Sequence, residues 1–226
     1  PFISKFEELI SQNIGFNNKK ATATSSGTTA LQLGLIALGV KQNDLVIIPS
    51  YTFIATANAV SHIGAYPWLL DIEMNNLTLD PVKLLTQIKN HTYEEKGCRF
   101  HNKTKQKIAC IVPVHILGFP PDIDKIKDIS KRFNIPILLD SACGLGSKYK
   151  NKRLGEIDLP GIISFNGNKT ITTGAGGIFY SNNDLLIEKV KHLASTAKCT
   201  SRYDHDEIGF NYRMSNIQAA VGLAQI

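Results

Sequence analysis

The chain has 226 residues, 43% of them apolar and 19% charged, with 25 basic against 19 acidic residues and a net charge of +6. That length suits one large α/β domain or two small ones, and the balance is that of a soluble globular protein. No apolar run reaches the roughly 18 residues of a membrane span, and PFISKFEELI carries charges where a secretion signal needs an apolar core.

FISKFEELISQNI sets Phe2, Phe6, Leu9, Ile10 and Ile14 at helical spacing, which predicts an amphipathic helix. The short run KATATS leads into SSGTTALQLGLIALGV, where Ser25 and Ser26 are N-cap candidates, Leu31, Leu35 and Leu38 form an apolar stripe and Gly39 is a stop. DLVIIPS is a continuous apolar strand of the kind buried on both faces, followed by a helix through YTFIATANAVSHIG. Strand AYPWLLDI precedes helix DPVKLLTQIKN, which has Pro81 in its first turn.

Much of the positive excess lies next, in KGCRFHNKTKQK from Lys96 to Lys107. Without aromatic interleaving, a helix-turn-helix pattern or a finger motif, this stretch reads as an exposed loop and not as a nucleic-acid surface. Strand IACIVPV, helix DIDKIKDISKRF, strand IPILLD, the strand-like runs IISF and GGIFY, and helix DLLIEKVKHLAS follow. Strands alternating with helices predict an α/β fold, three layers around a mostly parallel sheet covered on both faces, with no linker dividing it. The last stretch, MSNIQAAVGLAQI, starts a helix near Ser215 that is still periodic at Ile226, the pattern expected of part of a longer protein.

Cys98, Cys110, Cys143 and Cys199 form no CxxC pair, which argues against a disulfide scaffold or zinc site and for a reducing, cytoplasmic setting. The six histidines form no HExxH motif or short ligand cluster, so no dedicated metal site is expected.

In open α/β sheets ligands gather at the carboxyl ends of the strands, and three features fall there. In SSGTTAL, Gly27, Thr28 and Thr29 head a helix whose free amides and dipole can seat a phosphate, although a plain helix cap has the same sequence. In LLDSACGLG, Asp140 ends an apolar strand, where an acid is solvated, caps a helix or partners a cation at the sheet edge. In SFNGNKTITTGAGGIFYS, Lys169 lies in a loop whose glycines allow close backbone approach to a ligand. A partly buried lysine there can serve as a nucleophile, while an ordinary surface lysine fits the stretch equally well. Together the three meet the needs of pyridoxal phosphate: a lysine for a Schiff base, an acid that keeps the pyridine nitrogen protonated, and amides for the phosphate.

The same stretches closely resemble the DegT/DnrJ/EryC1/StrS family of sugar aminotransferases, which have the fold of fold-type I pyridoxal-phosphate enzymes. The resemblance rests on SGTTALQLGLIALGV, VIIPSYTFIATANAVSHIGAYPWLLDI, VPVHILGFPPDIDKI, LLDSACGLGSKY, SFNGNKTITTGAGGIFYS and GFNYRMSNIQAAVGLAQ, in that order. It implies that residues 1–226 are the cofactor-binding large domain and that the family's small C-terminal domain lies outside this chain. It also implies that Lys169 carries the cofactor and shuttles the proton, Asp140 pairs with the pyridine nitrogen and Phe53 stacks on the ring. Gly27, Thr28, Thr29 and Ser164 fall at the phosphate, and Asn211 reaches the phosphate of a partner subunit, so a homodimer is implied. Cys143 stands where many members carry His or Gln near the cofactor's ring oxygen. His115 fits the pattern and reads as a hydrogen-bonded core histidine.

The activity implied is transfer of an amino group from L-glutamate to a nucleotide-linked 4-keto-6-deoxy sugar, for surface polysaccharide or glycan synthesis, with neither nucleic acid nor membrane as partner. Family dehydratases replace the lysine by histidine, and position 169 is lysine. The alternative is a truncated, non-catalytic homologue or a cofactor-binding regulatory module.

Overall fold

A computed structural model describes residues 1–18, 20–199 and 203–226. Its central strands are β1 (Ala21–Thr24), β2 (Leu45–Pro49), β3 (Tyr66–Leu70), β4 (Ile108–Ile111), β5 (Leu139–Asp140), β6 (Gly161–Ser164) and β7 (Gly177–Tyr180). They stand side by side in the order β3-β2-β4-β5-β6-β7-β1. Strands β3, β2 and β4 pair in parallel, as do β5 and β6. The parallel bridges Ile111–Ile137 and Val114–Asp140 join these two groups. Only β7 runs against the rest, pairing antiparallel with both β6 and β1.

Seven helices cover this sheet among the described residues: α1 (Phe2–Asn13), α2 (Gly27–Ala37), α3 (Ile54–His62), α4 (Pro81–His91), α5 (Ile123–Phe133), α6 (Asp184–Ala194) and α7 (Asn216–Leu223). Side chains alternate across a strand, so β2 sends Leu45 and Ile47 to one face and Val46 and Ile48 to the other. The first pair packs with Phe6 and Ile10 of α1, Leu84 and Ile88 of α4 and Ile126 and Phe133 of α5. The second packs with Leu31, Leu33 and Leu35 of α2, Val60 of α3 and Val190 of α6. This double burial produces the continuous apolar run in DLVIIPS and makes the fold a three-layer α/β/α. Cutting a fully buried leucine such as Leu33 to alanine in such a layer costs about 2–5 kcal/mol.

The predicted helix boundaries hold where capping is explicit. Ser26 caps α2, accepting from the Thr29 amide at 3.1 Å, and Ser215 caps α7. Asp80 caps α4, with Pro81 at its first position. One stretch without an assignment gains one, and another differs from expectation. KATATS contains strand β1, buried along its whole length. Part of the basic stretch is the second arm of a β-hairpin, Thr92–Glu95 against Cys98–His101, and not a plain loop. Lys96 and Gly97 both have positive φ (49° and 74°), as a tight type I′ hairpin turn requires.

Candidate active site

Because β1, β2, β4, β5 and β6 run the same way, their carboxyl ends lie along one edge of the sheet, and antiparallel β7 begins there. A cavity of about 550 Å³ opens at this edge, lined by the segments that leave those strands. Gly27 and Thr28 come from the end of β1, Thr52, Phe53 and Thr56 from β2, and His115 from beyond β4. Asp140 and Cys143 come from the end of β5, and Ser164 and Lys169 from β6.

Asp140 anchors the deep wall. It is 4% exposed, its Oδ1 accepts the Ala142 amide at 3.1 Å, and its Oδ2 accepts the Thr56 hydroxyl at 2.7 Å. Burial pushes its carboxyl up, opposed by those two hydrogen bonds and by the charge of Lys169. A cation brought into the cavity beside it therefore favours the ionised form. The Thr56 and Thr52 hydroxyls are 2.8 Å apart. Since Thr56 spends its proton on Asp140, Thr52 donates to Thr56, giving a chain that runs Thr52 to Thr56 to Asp140.

The head of α2 forms a second wall. Gly27 and Thr28 open the helix, so their amides have no intrahelical carbonyl to reach, and the helix dipole adds positive potential there. A Cβ on Gly27 would lie 2.8 Å from that of Ser164, so only glycine lets the helix head sit against β6. Gly177 does the same from β7, where a Cβ would meet the Ser26 backbone at 2.4 Å. The Thr29 hydroxyl does not line the cavity. It accepts from the Ser26 amide at 3.0 Å and closes the capping box.

The third wall is the loop between β6 and β7. Lys169 is half-buried, its amide donates to the Asn166 carbonyl at 3.0 Å, and its Nζ donates to the Cys143 sulfur at 3.1 Å. Helix α7 and the residues just after it steady this loop, with Gln218 donating to the Ala175 carbonyl at 2.9 Å and Gln225 accepting from the Thr172 amide at 3.0 Å. Phe53, the N-cap of α3, stands at the mouth with 73% of its surface exposed.

His115 lines the cavity and is 2% exposed, with Nδ1 3.1 Å from the Ser141 hydroxyl, itself 3.2 Å from Tyr180 Oη. Burial pushes its imidazole down to about 4, so it is neutral at neutral pH. Asn211 lies away from the cavity, exposed, on a strand-like bridge to Ser195.

Of the predicted residues, Gly27, Thr28, Phe53, Asp140, Cys143, Ser164 and Lys169 share one cavity, whereas Thr29 and Asn211 do not line it. Sequence reasoning missed Thr52 and Thr56. Their signal is a threonine pair four apart just beyond a strand end, the first ahead of the α3 N-cap Phe53 and the second in that helix's first turn. Away from the cavity, His192, Asp206 and Glu207 place ligand atoms within 4.8 Å of one another. There Lys189 already pairs with Glu207 at 2.5 Å, and His192 with Asp206 at 2.7 Å. Among the described residues no helix is long and apolar enough to cross a membrane.

The chain is 39% identical over 226 residues to GDP-perosamine synthase of Caulobacter vibrioides, an alignment covering 100% of this chain and 56% of that protein. It is 36% identical over 228 residues to the UDP-4-amino-4,6-dideoxy-N-acetyl-beta-L-altrosamine transaminase of Campylobacter jejuni, covering 99% of this chain and 56% of the relative. Among solved structures, NtdA of Bacillus subtilis with bound cofactor PMP superposes with a TM-score of 0.83 at 29% identity, covering 100% of this chain and 47% of that one. The chain thus spans about half the length of the relatives it matches. The sequence pattern of the DegT/DnrJ/EryC1/StrS aminotransferase family matches residues 1–226, and the chain belongs to that family.

Proposed function

We propose that the chain carries the active site of an aminotransferase that uses pyridoxal phosphate to move an amino group from L-glutamate to a nucleotide-linked 4-keto-6-deoxy sugar, in surface polysaccharide or glycan synthesis. The observation that carries this reading is one cavity lined by a lysine amine, a buried carboxylate and an open helix head. The names of the relatives support the substrate class, since both are nucleotide-linked amino sugar enzymes, one GDP and one UDP. PMP in NtdA supports the cofactor.

The residues fit that cofactor. Each Asp140 oxygen accepts one hydrogen bond and keeps a lone pair for a pyridine N–H. The Gly27 and Thr28 amides, with the Thr28 and Ser164 hydroxyls, suit a phosphate, and Phe53 offers a ring to stack on. Bound there, pyridoxal phosphate supplies an electron sink for the pair left when an amino acid loses its Cα proton. Lys169 Nζ would hold the cofactor covalently between turnovers. Once freed by the donor amine, the Lys169 amine would take the proton from the amino acid's Cα and pass it on to the cofactor, and in the second half-reaction it would carry a proton the opposite way, to the sugar carbon. Asn211, facing outward, serves the phosphate site of a second copy, so the working unit is a homodimer. The free cysteines suit a cytoplasmic setting.

The test is spectroscopic. Adding pyridoxal phosphate to the protein is expected to raise a visible absorbance band, which L-glutamate then bleaches with release of one 2-oxoglutarate per site. A band that glutamate leaves untouched overturns the transaminase reading in favour of a passive binder. Nucleotide-linked 4-ketosugars should restore the bleached band, and free ketosugars should not.

A further inference from the structure

Cys143 has no task in the chemistry above, yet its sulfur is the hydrogen-bond partner of the reacting amine. Lys169 Nζ and Cys143 Sγ lie 3.1 Å apart, and both side chains line a cavity open to small solutes. The two come from different strand ends, 26 positions apart, brought together where the turn after β5 faces the loop after β6. Cys110 offers a contrast: it is fully buried and its thiol is pushed up to about 12 by that burial, which keeps it protonated and inert.

We propose that Cys143 and Lys169 form a reversible oxidative cross-link, a sulfenamide between Sγ and Nζ, with hydrogen peroxide as oxidant. In the first step the Cys143 sulfur attacks one peroxide oxygen and the O–O bond breaks. This leaves Sγ–OH and one water, with sulfur oxidised by two electrons and the peroxide reduced by two. The neutral Nζ then attacks Sγ, the S–O bond breaks, and the departing hydroxide leaves as a second water with a proton from nitrogen. The chain has lost two hydrogens and gained one S–N bond. Two thiols reverse it: the first attacks Sγ and expels the amine, and the second resolves the mixed disulfide and restores the Cys143 thiol. The lysine's flexible four-carbon stem lets Nζ close the remaining gap.

The cross-link needs these two side chains and the peroxide, and no cofactor. Its consequence, a lysine withdrawn from service while no cofactor holds it, rests on the proposed function. The experiment treats the reduced, cofactor-free chain with hydrogen peroxide, blocks remaining thiols, digests with trypsin and weighs the peptides. The expected product joins residues 133–148 to residues 154–189, uncut at Lys169 and about 2 Da lighter than the two peptides together. Dithiothreitol should dissolve it, and it should be absent from Cys143→Ser, Cys143→Ala and Lys169→Arg. Cys143 carrying added oxygen while Lys169 is still cut normally, or Cys143 joined to another cysteine, overturns the proposal. Saturating the protein with pyridoxal phosphate beforehand should suppress the cross-link. A cross-link that forms equally in the saturated protein supports the proposal and sinks the assignment of Lys169 as the cofactor lysine.

Discussion

The two walls of the cavity that carry opposite charge are built in opposite ways. Asp140 sits at the end of a core strand, 4% exposed, with both oxygens holding donors and Thr56, 1% exposed, packed behind it. Lys169 sits in a loop whose neighbours Gly167, Asn168 and Thr170 are exposed, and its amine donates to a soft acceptor, the Cys143 sulfur. The carboxylate is a fixed electrostatic feature set by packing, where a small displacement is costly. In the proposed reaction the amine forms a bond, releases it and carries a proton, which suits a stem and loop that can move. Fixed charge in the core and reacting group on a loop is a division of labour, and each wall can be broken separately.

The largest effect is expected on the mobile wall. Lys169→Ala should abolish the visible band and lower kcat/KM for amino transfer by at least about a thousandfold, as removing a group that acts in the bond-making steps does. Steady-state kinetics with a nucleotide ketosugar measures this, and retained turnover would move the chemistry to another amine.

On the rigid wall, His115 gives a pH signature of stability. Its pKa is about 4 in the folded chain and about 6.5 unfolded. Above pH 6.5 both states hold it neutral and the folded state bears no penalty. As pH falls from 6.5 towards 4 the unfolded chain takes the proton first, so stability drops, by about 3 kcal/mol in all. Denaturant unfolding at pH 7 and pH 4.5 should show this drop shrinking in His115→Gln, and an unchanged pH slope would contradict the neutral, buried assignment.

At the remaining wall, the head of α2, a smaller loss is expected. Gly27→Ala places a methyl 2.8 Å from the Ser164 Cβ and pushes the helix away from β6. Overpacking of this kind costs about 2 kcal/mol. It should appear as a lower unfolding midpoint together with weaker cofactor affinity, since the displaced amides are those proposed to face the phosphate.

What the sequence revealed follows the same division. The alternating elements were legible because strands such as β2 are buried on both faces and read as unbroken apolar runs. Strand β1, with only alanines and threonines, lacks that bulk, and its identity comes from pairing with β7, which lies far along the chain. The hairpin at Thr92–His101 was hidden by charge, since Glu94, Glu95 and Arg99 mask the alternation and the Lys96-Gly97 turn lacks the usual asparagine or aspartate. In the site, Lys169, Asp140 and Gly27 stand at strand ends, where topology alone makes them candidates. Thr56 was not legible, because its role depends on Asp140, 84 residues away.

That long-range bond supplies the finest test of the rigid wall. Thr56→Val keeps the volume but removes the donor to Asp140 Oδ2, and it also strands the Thr52 hydroxyl that feeds the chain. An acceptor left short of a partner in the core costs about 1–2 kcal/mol, and the loss falls on the ionised carboxylate, since the Thr56 hydrogen bond lowers the Asp140 pKa against the upward push of burial. Cofactor affinity should therefore fall by about tenfold, the 1.4 kcal/mol equivalent, and fall further as pH drops, because the carboxylate now protonates more readily. Thr56→Ser restores the hydroxyl and should restore both affinity and its pH dependence. A valine variant that binds as tightly as the parent across that range would show that Asp140 is held by the Ala142 amide and burial alone, and that the threonine chain is packing.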